Sequence, residues 1–368
     1  MMENICRRTA MMNIRTMTDE WKTLDEDYLS LEAVLDELTE NKFLKSLLAG
    51  HCLCYGVKPQ ETSFANHSRI SLPLYDSLVR IKGGGEAIIQ VFRKELAKVD
   101  VTILTERFIN GFADIQGKKV GRFVLNSGEE ITCEDCIFTI HPKEILKVLP
   151  REHLSNAFID RIEAFEPSAG FFSLQGVLGA GNYSADGEGD VVSFLPMADL
   201  NKLFDSRSAG HSAMVMQKNA ENVEGIVCPK INALSLSSGE EISQWRNTKS
   251  GSRPAEYYEY KQRCAGQMKD RIIKEFPEYS GSLKIIDTAS MLTFRDYLNS
   301  YDGAAYGIKQ KIGQINLFGR LPLRNIYAVG QSSILPGVIG AMLSSFVLSS
   351  VILGKEKFHQ FRERQLCH

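Results

Sequence analysis

The sequence lacks long apolar runs and a strong charge of either sign. No stretch of 18 or more uninterrupted apolar residues occurs in its 368 residues, and the most apolar segment, 338–353, contains one glycine and four serines. We therefore predict a buried helix there and no membrane span. Its 43 lysines and arginines nearly balance its 45 aspartates and glutamates, giving a formal net charge of −2. This balance excludes a strong field for nucleic acid or anionic lipid, and no nucleic-acid partner is expected.

The sequence also lacks an ordered cysteine framework and a histidine cluster. Its eight cysteines are scattered, and its opening residues are too polar for a signal peptide. Free thiols in a reducing compartment are expected, which predicts a cytoplasmic protein. Cys133 and Cys136 have CxxC spacing, and Cys52 and Cys54 could complete a metal site. Because no second CxxC exists, ordinary thiols are the favoured interpretation and no metal is predicted.

What the sequence does contain is ordinary globular composition, with 43% hydrophobic and 24% charged residues. Apolar spacing predicts two early helices, the first with Ser30 as its N-cap. Before Leu24 no structure is predicted. The expected buried positions are Leu31, Val34, Leu35 and Leu38 in the first helix and Phe43, Leu44, Leu47 and Leu48 in the second.

Three glycines, Gly83 to Gly85, precede a third predicted helix that ends near residue 98. Glycines let a backbone approach a ligand closely, and a helix N-terminus offers free N–H groups. As a phosphate loop this signal is weak, since such a segment is usually only a turn. The expected buried face of this helix holds Ala87, Ile88, Val91, Phe92 and Leu96.

Residues 101–140 are predicted to form a β-meander that ends in the apolar strand CIFTI. Pro142 then begins a new helix. His141, at the strand end, is interpreted as a turn-capping histidine in preference to a catalytic base.

Residues 151–285 are predicted to contribute several strands of one sheet, together with a long helix from about Ala255 to Phe276. The expected strands are 171–179, 190–196, 212–217, 225–236 and 282–290, and the expected buried helix positions are Ala265, Met268, Ile272 and Phe276. Residues 293–307 are predicted to be a polar-aromatic loop. Its Tyr297, Tyr301 and Tyr306 either line a substrate cavity or, as favoured, simply pack the interior.

The closing segment NIYAVGQSSILPGVIGAML, 325–343, joins a short buried strand to an apolar helix through a Gly-Gln-Ser-Ser crossover and a Pro-Gly step. In open α/β sheets, ligands lie outside the carboxyl ends of strands, where such crossovers occur. Gly330 would let the chain pass close to a ligand. The hydrogen-bonding groups of the crossover are Gln331, Ser332 and Ser333. Small residues at 340 and 341 would leave helical N–H groups accessible to an electron-accepting heterocycle. A packing turn without a ligand is the alternative.

Five segments carry a family resemblance through their order and spacing. They are LLAGHCLCYGVKP, KGGGEAIIQVFRKEL, the meander ending in CIFTIHPKEIL, LTFRDYLNSYDGAAYGI and AVGQSSILPGVIGAML, and the similarity spans roughly residues 28 to 354. In these segments the chain resembles FAD-dependent oxidoreductases of the phytoene desaturase, carotenoid isomerase and retinol saturase type. That group belongs to the amine-oxidase-like flavoprotein superfamily.

The resemblance implies a cofactor, FAD, and the residues beside it. The crossover would contact the ribityl-pyrophosphate part of FAD through Gly330, Gln331 and Ser332. Gly83 and Gly84 match a glycine pair near the family's cofactor domain. The positions that would face the isoalloxazine ring are Gly337, Val338, Ile339, Gly340, Ala341 and Met342. Many relatives carry an acidic residue where Gln331 stands, although glutamine can still exchange hydrogen bonds with a hydroxyl.

One departure is large, because the sequence contains no GxGxxG, the motif whose βαβ unit holds the pyrophosphate in this family. The expected fold is therefore α/β (α+β), a truncated FAD/NAD(P)-binding Rossmann-like fold with an inserted substrate domain of mixed sheet and helices. The expected segments are a helical part of the substrate domain (1–78), the remainder of the FAD-binding domain (79–150), the substrate-binding domain (151–290) and a C-terminal FAD-binding segment (291–368). Either a second chain supplies the missing unit or the chain is a remnant.

The function implied by the resemblance is flavin redox chemistry on an apolar polyene, carotenoid-like or retinoid-like, or on a related lipid. Desaturation, saturation and isomerisation all need a hydride path and exclusion of water rather than a nucleophile, so no catalytic residue is assigned. The alternative is a non-enzymatic remnant or partner subunit that binds a lipid or another chain without FAD. An apolar substrate is compatible with peripheral membrane contact, although no basic amphipathic helix indicates it.

Overall fold

The computed structural model describes residues 1–9, 12, 23–79, 81–179, 191–205, 210–223, 226–314 and 316–366. These residues form α-helices and three β-sheets, which confirms the α/β class. The helices are α1 (Met2–Arg8), α2 (Leu31–Leu38), α3 (Lys42–Leu48), α4 (Phe64–Asp76), α5 (Gly84–Ala97), α6 (Pro142–Val148), α7 (Asn156–Glu163), α8 (Leu200–Phe204), α9 (Ala255–Glu275), α10 (Met291–Leu298), α11 (Gly337–Leu353) and α12 (Lys355–Leu366). The strands are β1 (Ile109–Gln116), β2 (Lys119–Leu125), β3 (Glu130–Ile131), β4 (Cys136–Phe138), β5 (Gly170–Val177), β6 (Val191–Phe194), β7 (Met214–Val223), β8 (Ile226–Ser237), β9 (Lys284–Ala289), β10 (Gly319–Arg320) and β11 (Ile326–Ala328).

The largest sheet is antiparallel throughout and has the strand order β6-β7-β8-β5-β9. It confirms that the middle of the chain contributes several strands of one sheet. Two of the predicted strands begin at Asp190 and Gly225, which lie outside the described residues. Helix α9 packs on this sheet and buries Ala265, Met268 and Ile272 as predicted, in one hydrophobic cluster with strand residues.

A helical layer formed by α1, α2 and α4 shares its core with the large sheet. Ser30 caps α2 as predicted, its hydroxyl accepting the Ala33 N–H at 3.0 Å. Sequence patterns indicated no structure before Leu24, yet α1 forms there and buries Ile5. The reason is tertiary, because Ile5 packs in a hydrophobic cluster that also contains Phe171 of β5.

Helix α3 contradicts the predicted burial. Its Phe43, Leu44 and Leu47 are exposed, as is Leu38 at the end of α2. The helix instead turns Ser46 inward, where the serine hydroxyl donates to the Ala198 carbonyl. A seven-residue helix makes about two turns, so its apolar spacing cannot identify the face that its neighbours will cover.

Helix α5 contradicts the predicted burial more strongly, because none of its residues is buried within the described part of the chain. Val91 is 61% exposed and Phe92 is 49% exposed. The other predicted core positions are only half-buried: Ala87, Ile88 and Leu96. The β-meander predicted at 101–140 is also wrong in its first eight residues, since β1 begins at Ile109.

The polar-aromatic loop predicted at 293–307 is wrong in its first half, where the chain forms α10. Ser290 starts this helix as a capping box, accepting the Leu292 N–H at 3.2 Å while its own N–H donates to Thr293 Oγ1 at 3.2 Å. The predicted closing helix is confirmed as α11. No helix of the described residues is both long and apolar enough to cross a bilayer.

A small three-stranded sheet positions the closing segment. Strand β11 runs parallel to β4, with Ile326 opposite Cys136, and β10 lies antiparallel on the other side of β11. The buried Asn325 side chain joins this sheet to the β1–β2–β3 meander. Its amide oxygen accepts the Val120 N–H at 2.9 Å and its amide nitrogen donates to the Val120 carbonyl at 3.0 Å.

Candidate functional site

The carboxyl ends of β4 and β11 meet the start of α11 at Gly330. This residue has a φ of 111°, and a Cβ built on it would lie 3.2 Å from the Thr139 carbonyl oxygen. A side chain there would therefore strain the backbone and press on the chain after β4. The Gly330 N–H donates to the buried Ser344 hydroxyl of α11 at 3.0 Å. Gly330 thus joins three elements, and its own N–H already has a partner.

Two serines fasten the crossover to the segment before it. Ser332 Oγ accepts the Ile308 N–H at 3.4 Å, and Ser333 Oγ donates to the Leu317 carbonyl at 3.1 Å. Both serines are buried, whereas Gln331 is half-buried. The hydroxyls that the sequence offered to a ligand therefore have structural partners, and Gln331 is the polar side chain of the crossover that is open to one.

The first turn of α11 is uncapped and presents apolar side chains. Its N-cap is Pro336, which has no side-chain acceptor for the free N–H groups. Gly337 has a φ of 78°, and a Cβ there would meet no heavy atom within 4 Å. The exposed side chains at this end of the helix are Val338 (62%), Ile339 (69%) and, in the second turn, Met342 (43%). A planar ligand at this end would meet an apolar surface and the positive end of a helix dipole.

Gly340 and Ala341 were expected to be small so that a ligand could approach. The structure gives another reason for glycine at position 340. A Cβ on Gly340 would lie 1.8 Å from the Leu335 carbonyl oxygen. The chain folds back so closely on the helix start that only glycine fits there. Ala341 is half-buried.

His141 lies shortly after β4, at the N-cap of α6. Its Nδ1 accepts the Lys143 N–H at 3.2 Å, which confirms the interpretation of a capping histidine. Its ring stacks on Tyr301 with the centroids 4.6 Å apart and 13° between the planes. Burial, followed by the nearby Lys143 and Lys147, lowers the pKa of His141 to about 4. The imidazole is therefore neutral at pH 7.

Three amide side chains form a hydrogen-bond network that holds the crossover at Ser333. The Gln314 amide nitrogen donates to Asn316 Oδ1 at 3.0 Å. Asn316 Nδ2 then donates to the Ser333 carbonyl at 3.0 Å and to Gln310 Oε1 at 3.1 Å. Sequence reasoning missed these residues, although three amides within QKIGQIN next to a buried turn were a signal for such a network.

Several predicted site residues lie away from this cluster or only border it. Gly83 and Gly84 are exposed at the start of α5, and their backbone bonds are local. Tyr297 is 71% exposed, so it lines no closed cavity here. Tyr306 is half-buried and packs edge-on against Phe171, with ring centroids 6.0 Å apart. Burial raises the pKa of Tyr306, which keeps its hydroxyl protonated.

The cysteines of the described residues are free thiols. Burial raises the pKa of Cys136 to about 12 and also raises that of Cys133, so neither is a reactive thiolate at neutral pH. Among the residues that the structure covers, no three His, Cys, Asp or Glu side chains are grouped to hold a metal ion.

Comparison with known proteins points to one group of oxidoreductases. The chain is 22% identical to the all-trans-retinol 13,14-reductase of Danio rerio over 383 residues, covering 96% of this chain and 61% of that protein. The corresponding protein of Macaca fascicularis is 22% identical over 378 residues, covering 91% of this chain and 59% of its own length. The chain thus spans about three-fifths of the length of these curated relatives. No protein-family profile matches it.

Solved structures agree on the fold. An oxidoreductase from Methanosarcina mazei superposes with a TM-score of 0.59 at 14% identity, over 88% of this chain and 68% of that one. Cyclohexylamine oxidase from Brevibacterium oxydans gives 0.55 at 11% identity, over 99% and 74% of the two chains. Putrescine oxidase gives 0.57 at 11% identity, over 98% and 73%. The chain shares the fold of these oxidases.

This shared fold agrees with the fold that the sequence resemblance implied. Within this fold, the Gly330 crossover joins a parallel strand to the start of α11. The arrangement offers a helix dipole, a glycine backbone and an apolar rim, and the described residues around it include no nucleophile paired with a base. It suits binding of a flat redox cofactor more than acyl or phosphoryl transfer.

Proposed function

We propose that the chain is an FAD-dependent oxidoreductase that saturates a carbon–carbon double bond of an apolar, retinoid-like polyene. The observation that carries the proposal is the uncapped start of α11, where Gly337 opens on free space beside exposed apolar side chains. The similarity to retinol 13,14-reductases supports the choice of substrate class and of reduction. The carotenoid substrates named from the sequence remain a prediction.

The residues of the crossover fit part of the proposed cofactor. Gly337 and the exposed Val338 and Ile339 would lie under the ring system, and Gln331 would exchange hydrogen bonds with the ribityl hydroxyls. FAD, when bound, supplies hydride transfer. The sequence has no GxGxxG, so the pyrophosphate would have to be held by groups other than that motif.

The surroundings suit an apolar substrate more than a polar one. Tyr306 lies beside a hydrophobic cluster that includes Phe171 and Leu236. In such surroundings these side chains would exclude water and orient an apolar chain, and the protonated Tyr306 hydroxyl would donate one hydrogen bond. We assign no residue as a proton donor to the substrate.

Flavin retention by the full chain tests the proposal. The purified protein is mixed with FAD and passed over a gel-filtration column, and the protein peak is read at the visible flavin absorbance. A yellow peak with near-stoichiometric flavin is expected, and reduced flavin should then be oxidised when all-trans-retinol is added without oxygen. A colourless peak contradicts the proposal.

A matched pair of glycine variants locates the site. Gly337→Val fills the space beside the helix start and should weaken FAD binding about tenfold or more. Gly251→Val is the control, because Gly251 also has a positive φ, 82°, with no heavy atom within 4 Å of its Cβ position. Equal affinities for the two variants would place the flavin elsewhere.

A lipid-binding protein without flavin is the second candidate, favoured by the absence of GxGxxG. It predicts a colourless protein that still enhances retinol fluorescence and protects retinol from oxidation. A colourless protein with no effect on retinol excludes both candidates.

A further inference from the structure

One buried polar atom just after β4, two residues beyond the Thr139 that Gly330 approaches, has no hydrogen-bond partner within the described residues. His141 is only 8% exposed, and its Nε2 has neither solvent contact nor a hydrogen-bond partner among the described residues. Buried polar atoms in folded proteins are nearly always paired, because an unpaired one loses its hydrogen bond to water without compensation.

The position of the proton follows from the other ring nitrogen. Nδ1 accepts the Lys143 N–H, so it carries a lone pair and no hydrogen. In a neutral imidazole the proton then resides on Nε2. The unpaired atom is therefore a donor, and what it lacks is an acceptor.

The surroundings indicate an electron-rich acceptor. Lys143 Nζ lies 5.3 Å and Lys147 Nζ 5.8 Å from the centroid of Tyr301, the ring on which His141 stacks. Lys147 Nζ also pairs with Glu144 at 2.7 Å, so the positive charge here comes mainly from Lys143, and it favours an oxygen that carries negative or partial negative charge. The position is also the ligand-binding edge of the sheet, two residues beyond the Thr139 carbonyl that Gly330 approaches.

A second unpaired donor belongs to the amide network that contacts the crossover through Ser333. Gln310 is 7% exposed, and its Oε1 faces the Asn316 amide nitrogen. Its Nε2 must then point away from Asn316, and this atom also has no partner among the described residues. Two buried donors thus lack partners on segments that contact the crossover, one at Gly330 through Thr139 and one at Ser333 through Asn316.

We propose that His141 is a cofactor-binding residue whose Nε2–H donates a hydrogen bond to an oxygen of the flavin dinucleotide bound at the crossover. This inference rests on the proposed function. It gives His141 two separable tasks, in which Nδ1 caps the turn into α6 and Nε2 holds the ligand.

Two substitutions separate these tasks in the full chain. In His141→Asn the side-chain oxygen can replace Nδ1 as the cap, and no donor reaches the position of Nε2. In His141→Gln the amide nitrogen reaches that position, and the cap is lost. FAD affinity is measured by quenching of flavin fluorescence, and the thermal midpoint is measured without FAD.

The expected results are opposite for the two variants. His141→Asn should keep the ligand-free thermal midpoint and lose FAD affinity about tenfold or more, whereas His141→Gln should lower the midpoint and keep most of the affinity. In the wild type, addition of FAD should shift the Nε2–H proton resonance of His141, which a purely capping role would leave unmoved.

Three outcomes overturn the inference. Wild-type affinity in His141→Asn, or an Nε2–H resonance that does not respond to FAD, overturns it alone and leaves the proposed function standing. A wild type that binds no FAD overturns both together. If His141→Asn does not fold, the resonance of the wild type decides.

Discussion

At the scale of single residues, glycine is favoured for different physical reasons at different positions of the closing segment. Gly340 is required because a Cβ would overlap the Leu335 carbonyl, whereas Gly337 has only an unfavourable φ and free space around it. Both stand in the same helix turn and look alike in the sequence. Their substitution should therefore separate packing from backbone strain.

We expect Gly340→Ala to cost about 3 kcal/mol of unfolding free energy, because the backbone must move to admit the methyl group. Gly337→Ala should cost about 1 kcal/mol, the strain of a left-handed conformation. Urea unfolding of the two variants beside wild type measures both. Equal losses would show that the close approach at Leu335 relaxes without cost.

A buried hydrogen-bond chain makes stability depend on pH. His67 Nδ1 pairs with the Tyr55 hydroxyl at 2.8 Å and its Nε2 with the Ser71 hydroxyl at 3.2 Å. Burial, followed by the nearby His51, lowers the pKa of His67 to about 4 from its ordinary 6.5. The unfolded chain therefore binds a proton between pH 6.5 and 4 that the folded chain does not bind, so stability is complete above this window and falls as the pH falls through it.

The expected loss at His67 is on the order of 2 kcal/mol between pH 7 and pH 4.5. Urea unfolding at the two pH values measures it. The His67→Gln variant can keep both hydrogen bonds and has no proton to gain, so its loss over the same interval should be smaller by that amount. His141 contributes in the same direction in both proteins. An unchanged pH dependence in the variant would contradict the assignment.

At the scale of elements, long patterns were predictable and short ones were not. Helix α9 has several turns, so its apolar spacing defined one face, and the structure buries Met268 and Ile272 there. Helix α3 has seven residues, and the position that it buries is Ser46. Helix α10 begins with a capping box that was read as loop because polar and aromatic residues dominate its sequence.

Helix α5 shows the limit of such patterns most clearly, and it leads to a prediction. Its apolar face is exposed within the described residues, so Val91→Lys and Phe92→Lys should change the unfolding free energy by only about 0.5 kcal/mol. The same changes should reduce the fluorescence of an apolar dye bound to the protein. Ile286→Lys on β9 is the control, since Ile286 is 65% exposed on a different element. Loss of several kcal/mol at Val91 would mean that this face is covered.

At the scale of the whole molecule, segments far apart in the sequence share contacts. The helical residues Ile5 and Leu31 lie in one hydrophobic cluster with Phe171 and Leu236 of the large sheet. Lys309 adds a polar junction, with Nζ 3.2 Å from Glu61 and 3.0 Å from Glu166. The predicted segments 1–78, 151–290 and 291–368 therefore meet at one ion-pair network.

Removing the central cation of this network should weaken the junction. Lys309→Met should lower the unfolding free energy by about 1 kcal/mol, because Glu61 loses its ion pair and Glu166 keeps only Lys311. Lys311→Met is the control, since Lys311 pairs with Glu166 alone at a more exposed position. The Lys309 effect should shrink in high salt. An equal loss for both variants would contradict a special role for Lys309.

The sequence by itself determined the features that depend on near neighbours along the chain. These are the Ser30 cap, the buried strand β11, the Gly330 crossover and the helix that follows it. The order of five segments was also enough to indicate the fold that the solved structures share. Local conformation follows from residue propensity, helix capping and the spacing of apolar residues, and all three can be read from neighbouring residues in the sequence.

Only the tertiary structure decided which polar groups are already occupied. Ser332, Ser333 and the Gly330 N–H were equal candidates for a ligand until their partners at Ile308, Leu317 and Ser344 were known. His141 and Gln310 became candidates because they lack such partners. Hydrogen bonding and burial depend on residues brought together from distant parts of the chain, so no local pattern can show which donor remains unpaired.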